Sequence, residues 1–192
     1  MTNILILGAG FGGISAALKL EKIFGNDRSF KITLLDRNNF HLFTPSLYEV
    51  GTVYGLIEDS FYRYLRGSVA IPLAKITKGK RIDFIQAEIK EINLKEKYVL
   101  TNGGMKRDFD YLIIALGGET EFYGIPGALE YAFNFKTIDD AVAVYKKIKE
   151  TYRNYEKTGK DIKINIIGGG FTGVELAAEL ACCAGNIIKD NK

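Results

Sequence analysis

Two glycine fingerprints, GAGFGG at Gly8 to Gly13 and GGGFTG at Gly168 to Gly173, each stand between an apolar run and an amphipathic segment. A chain with two such turns is constrained to an α/β fold in which a strand feeds a helix, twice, and each turn is shaped to hold a nucleotide. The strands are read over Asn3 to Leu7 and Lys163 to Ile167. The first glycine of each turn, Gly8 or Gly168, permits backbone angles closed to other residues. The second, Gly10 or Gly170, has no side chain to block a pyrophosphate. The third, Gly13 or Gly173, lets the following helix pack close to the sheet, and the helix N-terminus turns its N–H groups and positive dipole end toward the phosphates. Ala17 and Ala177 follow the third glycines at the same distance. A lone fingerprint is weak evidence, because glycine-rich turns also occur in proteins that bind nothing; recurrence with strand, helix and small residue strengthens both.

The first copy carries a further element. A second apolar strand, Lys31 to Leu35, ends in Asp36, 23 residues after Gly13. A carboxylate there can accept both hydroxyls of an adenosine ribose; the alternative is a strand-end aspartate that starts a turn. The same distance from Gly173 runs past Lys192, so a preference of the second site for NADH or NADPH is not encoded in these 192 residues.

Composition removes several function classes. At 47% hydrophobic the chain has ample material for a core, and no apolar run approaches the roughly 20 residues that span a bilayer. With a strand beginning by Asn3, a cytoplasmic location is expected. The net charge of +3 is too small to argue for nucleic acid as a partner, and the basic excess lies in Lys146 to Lys163, with seven basic and three acidic residues. That run reads as the solvated face of a helix, with a membrane-surface patch as the alternative. Cys182 and Cys183 are adjacent, so on a helix they point about 100° apart and form no separated dithiol; buried helix packing is expected for both. His41, the single histidine, has no cysteine or second histidine to complete a zinc site.

The elements follow in a simple order. A helix runs from Gly12 to about Phe24, and Asn38 to Gly55 is a loop or broken helix punctuated by Pro45 and Gly51. Glu58 to Arg66 is predicted helical and Ile71 to Leu73 a short connection. RIDFIQ, AEIKEIN and KYVLTN are extended, with Asn102-Gly103-Gly104 as a turn, giving a main-sheet strand and a small antiparallel crossover. FDYLIIAL, Phe109 to Leu116, suits a parallel strand buried on both faces. Gly117 to Gly127 holds the boundary between a first domain, 1–117, and a second, 128–192, with 118–127 as linker. Thr137, with Asp140 three residues on, caps a helix to about Tyr155.

In this order, GAGFGG, LLDRNNFHLFTPSLYEVGT, DFIQAEIKEI, DYLIIALGGETEFYGIPG and IIGGGFTGVELAAEL resemble the two-dinucleotide-binding-domain flavoproteins, and within them the type II NADH:quinone oxidoreductases. The resemblance covers essentially the whole chain but only the N-terminal half or so of a typical member. It implies a Rossmann-like FAD-binding domain with a parallel sheet and an antiparallel β crossover, followed by the beginning of a second Rossmann-like domain for NADH or NADPH. By the same resemblance the FAD pyrophosphate falls to Gly8, Gly10, Phe11, Gly12 and Gly13, and the adenosine ribose to Asp36 beside Arg37. The adenine falls to the backbone of Ile89, and further cofactor contact to Ala115, Leu116 and Gly117. Leu116 departs from the family's threonine and lacks its hydroxyl. Thr44, Pro45 and Glu49 would approach the isoalloxazine. Ile89 also reads as a core residue and Pro45 as a turn former. Gly168, Gly170, Thr172 and Gly173 would hold the NADH pyrophosphate. Glu175 matches an acid that relatives place near nicotinamide and flavin, so it is the candidate catalytic residue; interaction with the helix dipole is its alternative.

The resemblance also implies what is absent. Disulfide reductases of the superfamily carry a CxxxxC pair in the segment that here reads FHLFTPSLYEVGT, which has no cysteine. Sulfide:quinone oxidoreductases are the nearest competitor, but they need cysteines where Gly118 to Lys163 has none. The expected electron route is NADH to FAD to a quinone. Family members continue with a segment that returns to the flavin and a C-terminal region that contacts quinone and membrane. The chain is therefore expected to be an inactive fragment, with peripheral membrane contact belonging to the missing region. The alternative from another class is a non-enzymatic nucleotide-binding or interaction module, self-associating through the unpartnered strand at Lys163 to Ile167.

Overall fold

The computed structural model describes residues 1–52 and 67–190, with 183–190 as backbone only. In chain order the elements are β1 (Thr2–Leu7), α1 (Phe11–Phe24), β2 (Phe30–Asp36), β3 (Phe40–Leu42), a 3-10 turn (Thr44–Ser46), α2 (Leu47–Thr52), β4 (Ala70–Pro72), α3 (Leu73–Thr77), β5 (Ile82–Gln86), β6 (Ile89–Asn93), β7 (Tyr98–Thr101), β8 (Lys106–Asp108), β9 (Tyr111–Ile114), α4 (Ala128–Tyr131), α5 (Ile138–Thr158) and α6 (Phe171–Asp190). They group into two compact units, Met1–His41 with Ala70–Gly118, and Leu42–Val69 with Glu119–Lys192.

The first unit is built on a parallel sheet in the order β5-β2-β1-β9. Its strands β1 and β2 are continuous apolar runs because both faces of the sheet are covered. Ile6, Ile32, Leu34 and Ile82 pack on one face with Ala17 of α1 and Leu73 of α3. Leu5, Leu7 and Leu35 pack on the other with Val99 and Phe109 from the crossover. Ile6 stands in register with Leu34, and Leu7 with Leu35. Leu7, Leu34 and Leu35 are all but fully buried, each contributing roughly 1.5–3 kcal/mol. A slip of one residue would exchange the two faces, so the register is tightly specified.

The crossover is a three-stranded antiparallel sheet, β6-β7-β8. It turns at Asn102 to Gly104, where Gly104 takes φ +76°. The short strand β8 is too polar to have stood out in the sequence. The main-sheet strand that follows is shorter than Phe109 to Leu116 and lies at the sheet edge, with Tyr111 62% and Ile114 57% exposed. Burial on both faces is thus corrected: β9 has a strand neighbour, β1, on one side alone among the described residues. Ile71 to Leu73 is likewise more than a connection. It divides between β4, which pairs with β3, and α3, which starts directly after Pro72. The helix expected over Glu58 to Arg66 lies outside the described residues.

In the second unit the stretch after Leu42 is a 3-10 turn with Pro45 near its start, running into α2. Gly51 of α2 lies against the ring of Phe135, where a β-carbon would have no room. α2 packs against α5 and α6, and Leu47, Val50, Ile138, Ala141, Leu176 and Leu180 are buried. α5 opens with a full capping box, in which the Thr137 hydroxyl accepts from the Asp140 N–H at 3.1 Å and the Asp140 carboxylate accepts from the Thr137 N–H at 2.8 Å. It runs to Thr158, three residues beyond the expected end, and is closed by Gly159 in the left-handed conformation. Two expectations fail. Residues 161–169 carry no strand, and Ile164, Ile166 and Ile167 are exposed; no described strand pairs with them, and a lone strand leaves its backbone groups unpaired. Cys182 is exposed rather than packed, because α6 turns Leu176 and Leu180 inward instead.

Candidate nucleotide-binding site

The first fingerprint lies where β1 gives way to α1. Gly8 takes φ +96° and donates its N–H to the Leu35 carbonyl at 2.8 Å. A β-carbon on Gly8 would run into the Ala115 carbonyl, and one on Gly13 into the carbonyl oxygen of Gly8. Ala115 is brought there by β9, its N–H bonding the Leu7 carbonyl at 2.8 Å. Gly8, Gly13 and Ala115 are therefore glycines and a small residue demanded by the protein's own packing. The alanine at 17, 1% exposed, serves the same close approach of α1 to the sheet.

Gly10 is different. Its backbone is extended (φ −73°, ψ −170°), it is exposed, and a β-carbon on it would meet nothing within 4 Å. The protein's packing does not require glycine here; the vacant space suits a ligand pressed on the backbone. Gly10 is the N-cap of α1, which has no side-chain cap and no acidic residue in its first turn. The positive end of the helix is thus directed at that space. Phe11, 50% exposed, and the exposed Gly12 follow Gly10 in the chain.

Asp36 closes β2 beside this turn. Its Oδ2 accepts the Ala9 N–H at 2.6 Å and its Oδ1 accepts the Asn38 N–H at 2.7 Å. The turn-starting role is present, and it leaves room for the other: an ionised carboxylate offers about four acceptor positions, of which the amides use two. Arg37 holds Gln86 through its carbonyl at 3.1 Å. Ile89 packs with the Leu5, Leu7 and Leu35 cluster, so its side chain is a core element. Leu116 is 54% exposed, and Gly117 follows at φ +78° with open space around it.

The sequence offers His41 as a metal ligand without partners. In the structure it is 6% exposed, its Nδ1 lies 3.1 Å from the Ala9 carbonyl, and its ring meets Phe11 edge to face at 4.6 Å. The signal that could have found it is a polar residue between Phe40 and Leu42, one strand beyond the candidate ribose acid.

The second fingerprint repeats the turn with less around it. Gly168 takes φ +111°, and Gly173 abuts the Gly168 carbonyl oxygen as Gly13 abuts that of Gly8. No protein atom would lie within 4 Å of a β-carbon on Gly168 or Gly170. Ala177 is exposed where Ala17 is buried, and Thr172 is exposed at the start of α6. Glu175 is exposed and lies beyond the first turn of α6, which holds no acidic residue. The helix-dipole alternative loses force accordingly, since that effect fades within one turn. Thr44, Pro45 and Glu49 are exposed residues of the second unit.

A cavity of about 520 Å³ lies elsewhere, over Asn3, Leu5, Thr33 and Ile85, with a Lys31–Asp83 ion pair of 3.2 Å at its wall. It sits toward the amino ends of β1 and β2, whereas ligands of open α/β sheets bind at the carboxyl ends.

The family model described as pyridine nucleotide-disulphide oxidoreductase matches residues 2–188. A type II NADH:quinone oxidoreductase of Staphylococcus haemolyticus is 35% identical over 182 residues, covering 93% of this chain and 42% of the relative. The Staphylococcus aureus enzyme of the same name is 34% identical with the same coverage. Among solved structures, NDH2 of Plasmodium falciparum in complex with NADH superposes with a TM-score of 0.79 at 25% identity, covering 99% of this chain and 39% of that one. The sulfide:quinone oxidoreductase of Aquifex aeolicus gives 0.65 at 27% identity, covering 80% of this chain and 33% of that one. The chain thus spans about two fifths of the length of the curated relatives it matches.

Proposed function

The chain belongs to the pyridine nucleotide-disulphide oxidoreductase family, and from that premise we propose that it is the FAD-holding N-terminal portion of an NADH:quinone-type oxidoreductase. The observation that carries this reading is the vacant space at Gly10, in front of an uncapped helix and beside Asp36. A pyrophosphate fits there by charge and by room, and the remaining acceptor positions of Asp36 suit ribose hydroxyls. The chemistry supplied by a bound FAD is acceptance of a hydride from NADH and delivery of its electrons to a quinone. Gly8, Gly10, Phe11, Gly12 and Gly13 hold the pyrophosphate, Asp36 and Arg37 the ribose side, Ile89 the adenine through its backbone, and Ala115, Leu116 and Gly117 the cofactor along β9. By the same family likeness Thr44 and Pro45 are cofactor-binding residues as well.

Gly168, Gly170, Thr172 and Gly173 form the opening turn of a site for NADH or NADPH, where Glu175 orients the nicotinamide. The domain division follows the two fingerprints, 1–117 for FAD, 118–127 as linker and 128–192 for the nicotinamide nucleotide. Among the described residues no helix is long and apolar enough to cross a membrane, and a peripheral place on the cytoplasmic face belongs to the same reading. Exposed Ile164, Ile166, Ile167, Phe171 and Val174 make self-association a further part of it.

The 192-residue chain alone is inactive in this account. NADH oxidation with a short-chain quinone, measured on the purified chain supplied with FAD, stays at the rate of free flavin; turnover above that rate refutes the inactive-fragment assignment. Glu175→Gln in a full-length enzyme slows flavin reduction by NADH, and an unchanged rate removes Glu175 from the mechanism.

A further inference from the structure

We infer that His41 is the positioning residue that turns the Gly10 N–H into the phosphate space, an inference that rests on the flavin reading of this site. A carbonyl oxygen can only accept, so the contact between His41 Nδ1 and the Ala9 oxygen at 3.1 Å places the ring proton on Nδ1 and makes the imidazole a donor. The Ala9–Gly10 peptide is trans, as are all those described. In a planar trans peptide the carbonyl and the following N–H point in opposite directions. With the Ala9 carbonyl drawn onto a buried imidazole, the Gly10 N–H is directed away from that ring, and Gly10 itself is exposed.

The preceding peptide is held in the same manner. Asp36 takes the Ala9 N–H at 2.6 Å, which directs the Gly8 carbonyl the other way, against Gly13. Two side chains from outside the turn, Asp36 at the end of β2 and His41 within β3, therefore fix the two peptides on either side of Ala9. Asp36 sets the close packing of the glycines. His41 sets whether a donor faces the anion before any cofactor arrives, so no reorientation is required on binding. Its second contact, with the Phe11 ring at 4.6 Å and 85°, buttresses the imidazole so that Nδ1 stays aimed at the carbonyl.

A ring that merely packs against Phe11 and a ring that donates to Ala9 make opposite predictions for two variants. His41→Phe keeps the aromatic ring and removes the donor. His41→Asn removes the ring and restores an N–H near the Nδ1 position. FAD, and separately ADP, is titrated into the wild-type chain and both variants by fluorescence, with far-UV circular dichroism as the folding control. Positioning by donation gives about tenfold weaker binding in His41→Phe and recovery to within about threefold of wild type in His41→Asn. The reverse order overturns the inference, as does equal binding by all three. If the wild-type chain binds neither nucleotide, the flavin reading itself falls and the role of His41 with it. Should a variant fail to fold, nitrogen-15 spectra of the wild-type imidazole decide: a proton on Nδ1 and a Gly10 amide resonance that moves with added ADP support the inference, and a proton on Nε2 alone overturns it.

Discussion

The α-carbon of Gly13 rests so close to the carbonyl oxygen of Gly8 that no β-carbon fits between them. The same approach recurs between Gly173 and Gly168, so both fingerprints fold into one kind of turn whatever surrounds them. Gly10, two residues from Gly8, has open space instead. Within one motif, Gly8 and Gly13 are thus glycines that the fold requires, whereas at Gly10 only a ligand would require one.

That division predicts opposite phenotypes. Gly13→Ala forces a side chain into the Gly8 carbonyl, and Gly8→Ala combines a clash with Ala115 and an unfavourable φ, so each loses about 3 kcal/mol or more. Gly10→Ala has an ordinary extended backbone and stays within about 0.5 kcal/mol of wild type, yet it weakens flavin binding by about tenfold or more. Urea unfolding together with flavin titration separates the two classes; a Gly10→Ala chain that binds flavin normally contradicts the assignment.

Asp36 serves the turn and the ribose at once, so its replacement affects both. Asp36→Ala leaves the Ala9 and Asn38 amides without their acceptor and costs about 2 kcal/mol of stability. Asp36→Asn keeps one carbonyl acceptor and recovers part of that stability, while ADP affinity stays at least about fivefold down because that oxygen, already accepting a backbone N–H, has no room left for two hydroxyls. Calorimetric titration with ADP checks the second claim independently of flavin. Equal ADP affinity in Asp36→Asn and wild type would confine Asp36 to the turn.

Much of this was legible in the sequence because it rests on local chemistry. The strand-glycine-helix units, the capping box at Thr137 and Asp140, and the crossover turn at Asn102 to Gly104 are each specified by a few adjacent residues. Other features depend on neighbours. The FDYLIIAL run reads as a doubly covered strand, yet Tyr111 and Ile114 are exposed because β9 sits at the sheet edge. Lys163 to Ile167 has the composition of a strand and forms none, since strand formation requires a partner. His41 escaped notice because its role is a contact with the backbone of Ala9, which no spacing rule encodes.

Acid stability has a specific contributor in the loop that delivers β2. The Asp27 carboxyl is held below its usual 3.8 by hydrogen bonds from the Ser29 hydroxyl at 2.7 Å and the Ser29 N–H at 2.8 Å. A carboxyl lowered on folding stabilises the folded state fully above its unfolded value, and that contribution disappears as pH falls through the folded value. The stability advantage of wild type over Asp27→Asn is therefore present at neutral pH and shrinks as pH falls below about 3.8. Thermal melting across that range tests it; an advantage that grows on acidification has the wrong sign for this interaction.

Flavin titration of the purified 192-residue chain tests the central claim most directly. The account predicts saturable binding of about one FAD per chain, with a yellow complex absorbing near 450 nm and competition by ADP. A folded chain that takes up neither FAD nor ADP contradicts it.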